Sequence, residues 1–166
     1  MKPSSPFSLL ALSALTLPLS SALGIEVVWT LNATGGADWS LADNWAGDII
    51  VMLGDTVRFP ASVAGGTRTV NNDLPANTLI AGLTFGGTAY IENGNAMNLS
   101  GIVNNSAGNP TAINIICALR QTTEFFLGSG TRIDMNADIP GTSGISKTGA
   151  VSLCLQTIPK TYNGDR

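Results

Sequence analysis

The sequence predicts an all-β solenoid, and three observations carry that expectation. A glycine, usually followed by threonine and a β-branched or aromatic run, returns about every 21 residues. Gly66-Thr67-Arg68-Thr69-Val70, Gly87-Thr88-Ala89-Tyr90-Ile91 and Gly130-Thr131-Arg132-Ile133-Asp134 are its clear copies, and Gly108 and Gly149 open weaker ones. The spacings between these five glycines are 21, 21, 22 and 19. A period of this length marks coils that bury their apolar sides only against the coil before and the coil after. Short apolar runs split by Asn, Gly and Pro give the second observation, an all-β strand density. The third is that no window beyond residue 24 shows a 3.6-residue apolar stripe. A β-sandwich would share the strand density without the return, and is the alternative architecture.

Taken in order, residues 1–24 read as a signal peptide. Lys2 supplies a positive start, and Phe7 to Leu19 form a 13-residue apolar stretch. Ser20, Ser21, Ala22 and Gly24 then offer cleavage after Ala22 or Gly24. Thirteen residues are too few to cross a bilayer, which takes about 20 in a helix. Without Lys2 the chain keeps seven basic and eleven acidic side chains. That balance argues against nucleic acid, whose phosphates demand clustered Lys and Arg. Charged residues make up only 11% of the chain. Short uncharged polar side chains therefore tile the expected outer surface.

Residues 25–60 hold all three tryptophans, Trp29, Trp39 and Trp45, and read as an N-terminal cap. The first coil of a solenoid exposes an apolar end and a row of unpaired backbone groups that need a cover. A sugar-stacking platform is the functional alternative for the same rings. Val57 and Phe59 alternate with Thr56 and Arg58 in a half-buried strand that Pro60 stops.

Residues 61–166 read as the coils. Strands are expected at Arg68 to Val70, Leu79 to Phe85, Tyr90-Ile91, Met97 to Leu99, Ile113 to Leu119, Phe125 to Leu127, Ile133 to Met135 and Val151 to Leu155. Breaks are expected at Asn71-Asn72-Asp73, Gly86-Gly87, Asn93-Gly94-Asn95, Asn104-Asn105, Gly108-Asn109-Pro110 and Gly141 to Gly144, all turn formers. Cys117 shares parity with Ile113, Ile115 and Leu119 and should point inward. Cys154 alternates with Val151, Leu153 and Leu155 and should point outward, so no disulfide is expected between them.

The segment Ser143-Gly144-Ile145-Ser146-Lys147-Thr148-Gly149-Ala150-Val151-Ser152-Leu153-Cys154-Leu155, closing in Thr161-Tyr162-Asn163-Gly164, resembles the autotransporter-associated β-strand repeat, placed at about 143–164. Gly82-Leu83-Thr84-Phe85-Gly86-Gly87 with Leu99-Ser100-Gly101-Ile102, and Trp39 to Trp45 with Gly54-Asp55-Thr56-Val57-Arg58-Phe59, are similar to the regions that precede it. The resemblance implies a right-handed parallel β-helix at the surface of a Gram-negative-type bacterium, secreted as a passenger or attached to the outer envelope. The chain departs from the pattern at Ser146, at Val151 and across Gln156 to Lys160. With no run of strands for a membrane barrel, self-transport is not expected, and a truncated passenger is the form that the resemblance suggests.

The absence of histidine removes Ser/His and Cys/His nucleophiles and histidine-based metal sites. Asp134-Met135-Asn136-Ala137-Asp138 copies the start of a calcium loop. Ile139 and Ile145 then occupy the positions that need glycine and glutamate. Asp134, Asn136 and Asp138 are thus weak metal candidates, with a plain solvated strand face as the expected role. Asp55, Arg58, Arg68 and Asp73 are the nearest set to a polysaccharide-cleaving groove, with Arg58 and Arg68 expected outward on neighbouring strands and tied in ion pairs. The expectation is a non-enzymatic structural or adhesive surface protein with no cofactor. A carbohydrate-binding or carbohydrate-active β-helix, lyase- or hydrolase-like, is the alternative, and a remnant without independent role is the third. Expected partners are surface polysaccharide, other envelope components and, through an open C-terminal coil, further copies of the chain.

Overall fold

The structure, a computed structural model, describes residues 24–30, 37–61, 67–86, 89–105, 110–128 and 132–156. The expected signal peptide up to Leu23, and four of the five recurrent glycines, lie outside the described residues. Fourteen strands make up the described chain: β1 (Glu26–Val28), β2 (Thr56–Phe59), β3 (Thr67–Asn72), β4 (Thr78–Ile80), β5 (Gly82–Phe85), β6 (Ala89–Gly94), β7 (Met97–Leu99), β8 (Val103–Asn105), β9 (Thr111–Ile113), β10 (Cys117–Leu119), β11 (Thr123–Leu127), β12 (Ile133–Met135), β13 (Ile145–Thr148) and β14 (Leu153–Leu155). A single 3-10 turn, Ala42–Asn44, is the one helical element among them.

The strands form three parallel sheets, ordered β1-β2-β5-β8-β11-β13, β3-β6-β9-β12-β14 and β4-β7-β10. From β2 to β12 the chain visits the six-, the five- and the three-stranded sheet in turn, and β13 and β14 then add to the six- and the five-stranded sheet, for about four turns. This is a parallel β-solenoid. A sandwich needs antiparallel neighbours in facing sheets, and every strand pairing here is parallel.

Register sets the coil length. Thr67 pairs with Ala89, Ile91 with Ala112, Thr111 with Ile133, and Ile133 with Leu153. Those steps are 22, 21, 22 and 20 residues. They match the glycine spacings to within one residue, because identical positions of successive coils must lie one strand apart, about 4.8 Å.

Each pleat points one column of side chains inward. Val57, Leu83, Val103 and Phe125 stack in one column of the six-stranded sheet, and all are fully buried. Ile80, Leu99 and Leu119 do the same in the three-stranded sheet. Parity holds through the corners: Ile113, Ile115, Cys117 and Leu119 are all buried, as the alternation requires. Cys117 and Cys154 form no disulfide. Cys154 is half-buried on the outer side of β14 rather than fully exposed. Leu155 is 47% exposed, since β14 has a partner on one side only among the described residues.

Three expectations about strands are corrected. Leu79 to Phe85 is two strands, because a coil that closes on itself must turn between Ile80 and Gly82. Ile113 to Leu119 likewise splits into β9 and β10. Asn104-Asn105 is strand, and so are Asn71-Asn72 and Asn93-Gly94. Several of these side chains bond to the neighbouring coil instead of turning the chain. Asn71 Nδ2 donates to Asp38 Oδ1 (2.6 Å), Asn114 Nδ2 to Asn93 Oδ1 (2.8 Å) and Asn136 Nδ2 to Asn114 Oδ1 (2.8 Å), while Asn71 and Asn93 are ladder partners. Stacked parallel strands favour such amide ladders, since the same side chain recurs at the strand spacing. Asn114→Ala removes two of these bonds at an exposed site and is expected to cost about 1 kcal/mol. Thermal unfolding should show a Tm lower by a few degrees; an unchanged Tm would mean that the ladder holds nothing.

The described residues before β2 sink their tryptophans into the core. Trp29, Trp39 and Trp45 are buried, with Trp29 and Trp45 edge to face at 4.9 Å and Trp39 and Trp45 at 6.0 Å. Trp45 Nε1 donates to Trp39 O (2.8 Å). Rings sunk this way cannot offer a face to a sugar, so the stacking platform is ruled out for these three residues. β1 and β2 also lie in the same sheet as β5, β8, β11 and β13 of the later coils.

Candidate binding face

The polar residues singled out in the sequence are engaged by partners within the fold. Asp134 pairs with Arg132 (2.9 Å), Asn136 donates to Asn114, and Asp138 Oδ1 accepts from the Ile139 N–H (2.8 Å). Ile133, Met135 and Ile139 are buried, which turns Asp134 and Asn136 to the outer side. The three candidate ligands are thereby committed to three different partners. Among the described residues no group of three or more Cys, Asp or Glu is placed to share a metal ion.

The set Asp55, Arg58, Arg68 and Asp73 is dispersed. Asp55 is buried and accepts from the N–H groups of Ile25 (2.9 Å) and Met52 (2.8 Å), fixing the turn before β2. Arg58 pairs with Glu26 at 3.3 Å, and both are exposed. Asp73 accepts from the backbone and hydroxyl of Ser40. Arg58 and Arg68 lie in different sheets, not on neighbouring strands. No groove unites these four side chains.

The outer face of the six-stranded sheet carries an open cleft. Two outward rows run across its strands. Arg58, Thr84, Asn104, Phe126 and Thr148 are successive register partners in one. Glu26, Thr56 and Gly82 open the other, which Ile102, Glu124 and Ser146 continue. Gly82 and Gly101 interrupt this wall, since neighbouring backbone leaves no room for a side chain there. A Cβ on Gly82 would stand 2.8 Å from Ile102 O, and one on Gly101 would stand 1.8 Å from Ala81 O. The result is a cleft of about 370 Å³ lined by Thr56, Ala81, Gly82, Thr84, Gly101, Ile102 and Asn104.

No charged side chain lines the cleft. Its side-chain polar groups are two threonine hydroxyls and one amide, of which Asn104 Oδ1 is turned away from solvent with no hydrogen-bond partner among the described residues. Two large apolar side chains stand out beside them, Ile102 at 52% exposure and Phe126 at 44%. The face is closed toward β1 by the Arg58–Glu26 pair and toward β13 by Thr148, which donates to Glu124 (2.8 Å). The cleft escaped the sequence reading because Thr56, Thr84 and Asn104 become neighbours only through lateral register.

The core holds a second feature that the sequence reading missed. Glu92 is fully buried on the inner side of β6, facing Val70 and Ile113 in the ladder, and neither carboxyl oxygen has a hydrogen-bond partner. Burial pushes its carboxyl well above the usual carboxylate range. Parity with Tyr90, also inward, was the signal available. The Tyr90 hydroxyl donates to Pro60 O (2.8 Å) and is pushed up to about 12, chiefly by burial, with Arg68 opposing and Glu92 adding to the shift.

No family model, curated protein or solved structure matches the chain. Its class rests on its own geometry, a parallel β-solenoid with three sheets.

Proposed function

We propose that this chain is an exported solenoid of a bacterial cell surface, akin to autotransporter-associated repeat passengers, with a structural and adhesive role. The observation that carries the reading is the outer wall of the six-stranded sheet, where Thr56, Thr84 and Asn104 present uncharged hydrogen-bonding groups around a cleft. Repeated rows of such groups suit many weak contacts to a repetitive surface, which gain strength by acting together. The apolar stretch Phe7 to Leu19, followed by small residues, supports export. Asp55, Arg58 and Asp73 serve backbone and ion-pair contacts, which favours a passive role over catalysis.

Expression of the full chain in a Gram-negative host tests this directly. Cell fractionation and intact mass should find the protein outside the cytoplasm, shortened by cleavage after Ala22 or Gly24. Cells producing it should adhere to polysaccharide-coated surfaces more than cells lacking it. A chain that stays cytoplasmic at full mass, or exported chain that changes no adhesion, would overturn the reading.

A further inference from the structure

We infer that the row Thr84, Asn104 and Phe126, with the cleft beside it, is the binding site for a neutral, extended β-linked polysaccharide lying along the stacking direction. The inference rests on the adhesive reading and gives it a ligand class. Three properties of the face converge on that class.

The first is spacing. Thr84, Asn104 and Phe126 occupy one register row on β5, β8 and β11, so they recur about every 4.8 Å. That is close to the length of one pyranose unit in an extended β-linked chain. A polymer lying along the row would meet one side chain per sugar.

The second is chemistry. Pyranose rings carry an apolar C–H face and a rim of hydroxyls. Phe126, 44% exposed on the outer face, offers an aromatic surface for the former. Thr56, Thr84 and Asn104 line the cleft with hydroxyl and amide groups for the latter. The cleft over Gly82 and Gly101 admits a ring or a side substituent that a Cβ would exclude.

The third is charge. No lysine or arginine lines the cleft, Arg58 at the end of the row is paired with Glu26, and Glu124 stands beside Phe126. The whole chain has a net charge of −3. A polyanionic polysaccharide would meet repulsion and find no counter-charge. A protein partner fits less well, since two exposed apolar side chains fall far short of the roughly 800 Å² per side of a stable interface.

Affinity electrophoresis of the purified chain in gels containing neutral β-glucan or polygalacturonate tests the site. We expect retardation by the glucan and none by polygalacturonate. Phe126→Ala and Asn104→Ala should each weaken glucan binding by about tenfold, with Tm within a degree or two of the parent for the outward Phe126. Phe126→Trp should bind at least as well as the parent, since it keeps the stacking surface. Retention of full glucan binding by the Phe126→Ala/Asn104→Ala double variant would overturn this site, as would preference for polygalacturonate or no retardation by glucan. The adhesive reading fails separately, when exported parent protein changes no adhesion, and it survives if adhesion persists in the double variant.

Discussion

Truncation of Phe59 to alanine is expected to cost about 3–5 kcal/mol, among the largest effects a single substitution can have on this fold. Phe59 is fully buried at the second strand of the six-stranded sheet. Its ring touches five others, with centroids at 5.9 Å from Trp29, 5.7 Å from Trp39, 6.1 Å from Trp45, 5.4 Å from Phe85 and 5.1 Å from Tyr90. It is the only described residue whose ring meets all three tryptophans and both aromatics of the next coil. The cavity cannot collapse easily, because the surrounding rings are fixed by ladder bonds and by Trp45 Nε1 on Trp39 O. Urea unfolding followed by tryptophan fluorescence should show the loss, since all three reporters line the site. A solenoid transmits such damage by nearest-neighbour contact. Amide exchange should therefore quicken in β1, β2 and β5 before it does in β9 and β12. A loss below about 1 kcal/mol would show that the tryptophans close the first coil without Phe59.

The period and the parity of this fold were legible in the sequence, and its lateral neighbours were not. Parity placed Ile113, Ile115, Cys117 and Leu119 inside because a strand alternates regardless of what lies beside it. Ile133, Met135 and Ile139 followed the same rule. The recurrence of glycine and threonine marked coil length because equivalent positions must stack. Corners were harder to read, since the bend between Ile80 and Gly82 is imposed by closure of the coil and not by any breaker. The asparagines misled for a related reason. In isolation such asparagines are turn signals, but Asn71 donates to Asp38 and Asn93 accepts from Asn114 on the neighbouring coil, and that pairing outweighs local preference. The cleft depends on the same lateral information, because Thr56 and Asn104 are 48 residues apart and meet only through the register of β2, β5 and β8. Asp134, Asn136 and Asp138 illustrate the converse, since closeness in sequence suggested one site and the fold gave them three tasks.

Stability is expected to fall as pH rises from the acid side, and Glu92 supplies the reason. Its carboxyl is fully buried and carries no hydrogen bond, so the folded state keeps it protonated well above the usual value of 4.5. The unfolded chain gives up that proton near 4.5. Between that value and the raised one, the folded state holds one proton more, and stability therefore declines with increasing pH. The contribution is intact below about 4.5 and drains away above it, by up to about 1.4 kcal/mol per pH unit, until Glu92 ionises in place or the fold opens. Tyr90 adds a loss of the same sign only between 10 and about 12, so measurements held below pH 9 isolate the carboxyl. Glu92→Gln removes the titrating group at nearly constant shape, and urea midpoints across pH 4 to 8 should flatten relative to the parent. Glu92→Leu should go further and raise the midpoint at pH 8, because Val70 and Ile113 then meet an apolar neighbour. Parallel pH profiles for parent and Glu92→Gln would mean that the carboxyl reaches water or a partner in solution. The column Val70, Glu92, Ile113 and Met135 would then not be the dry stack that its ladder positions describe.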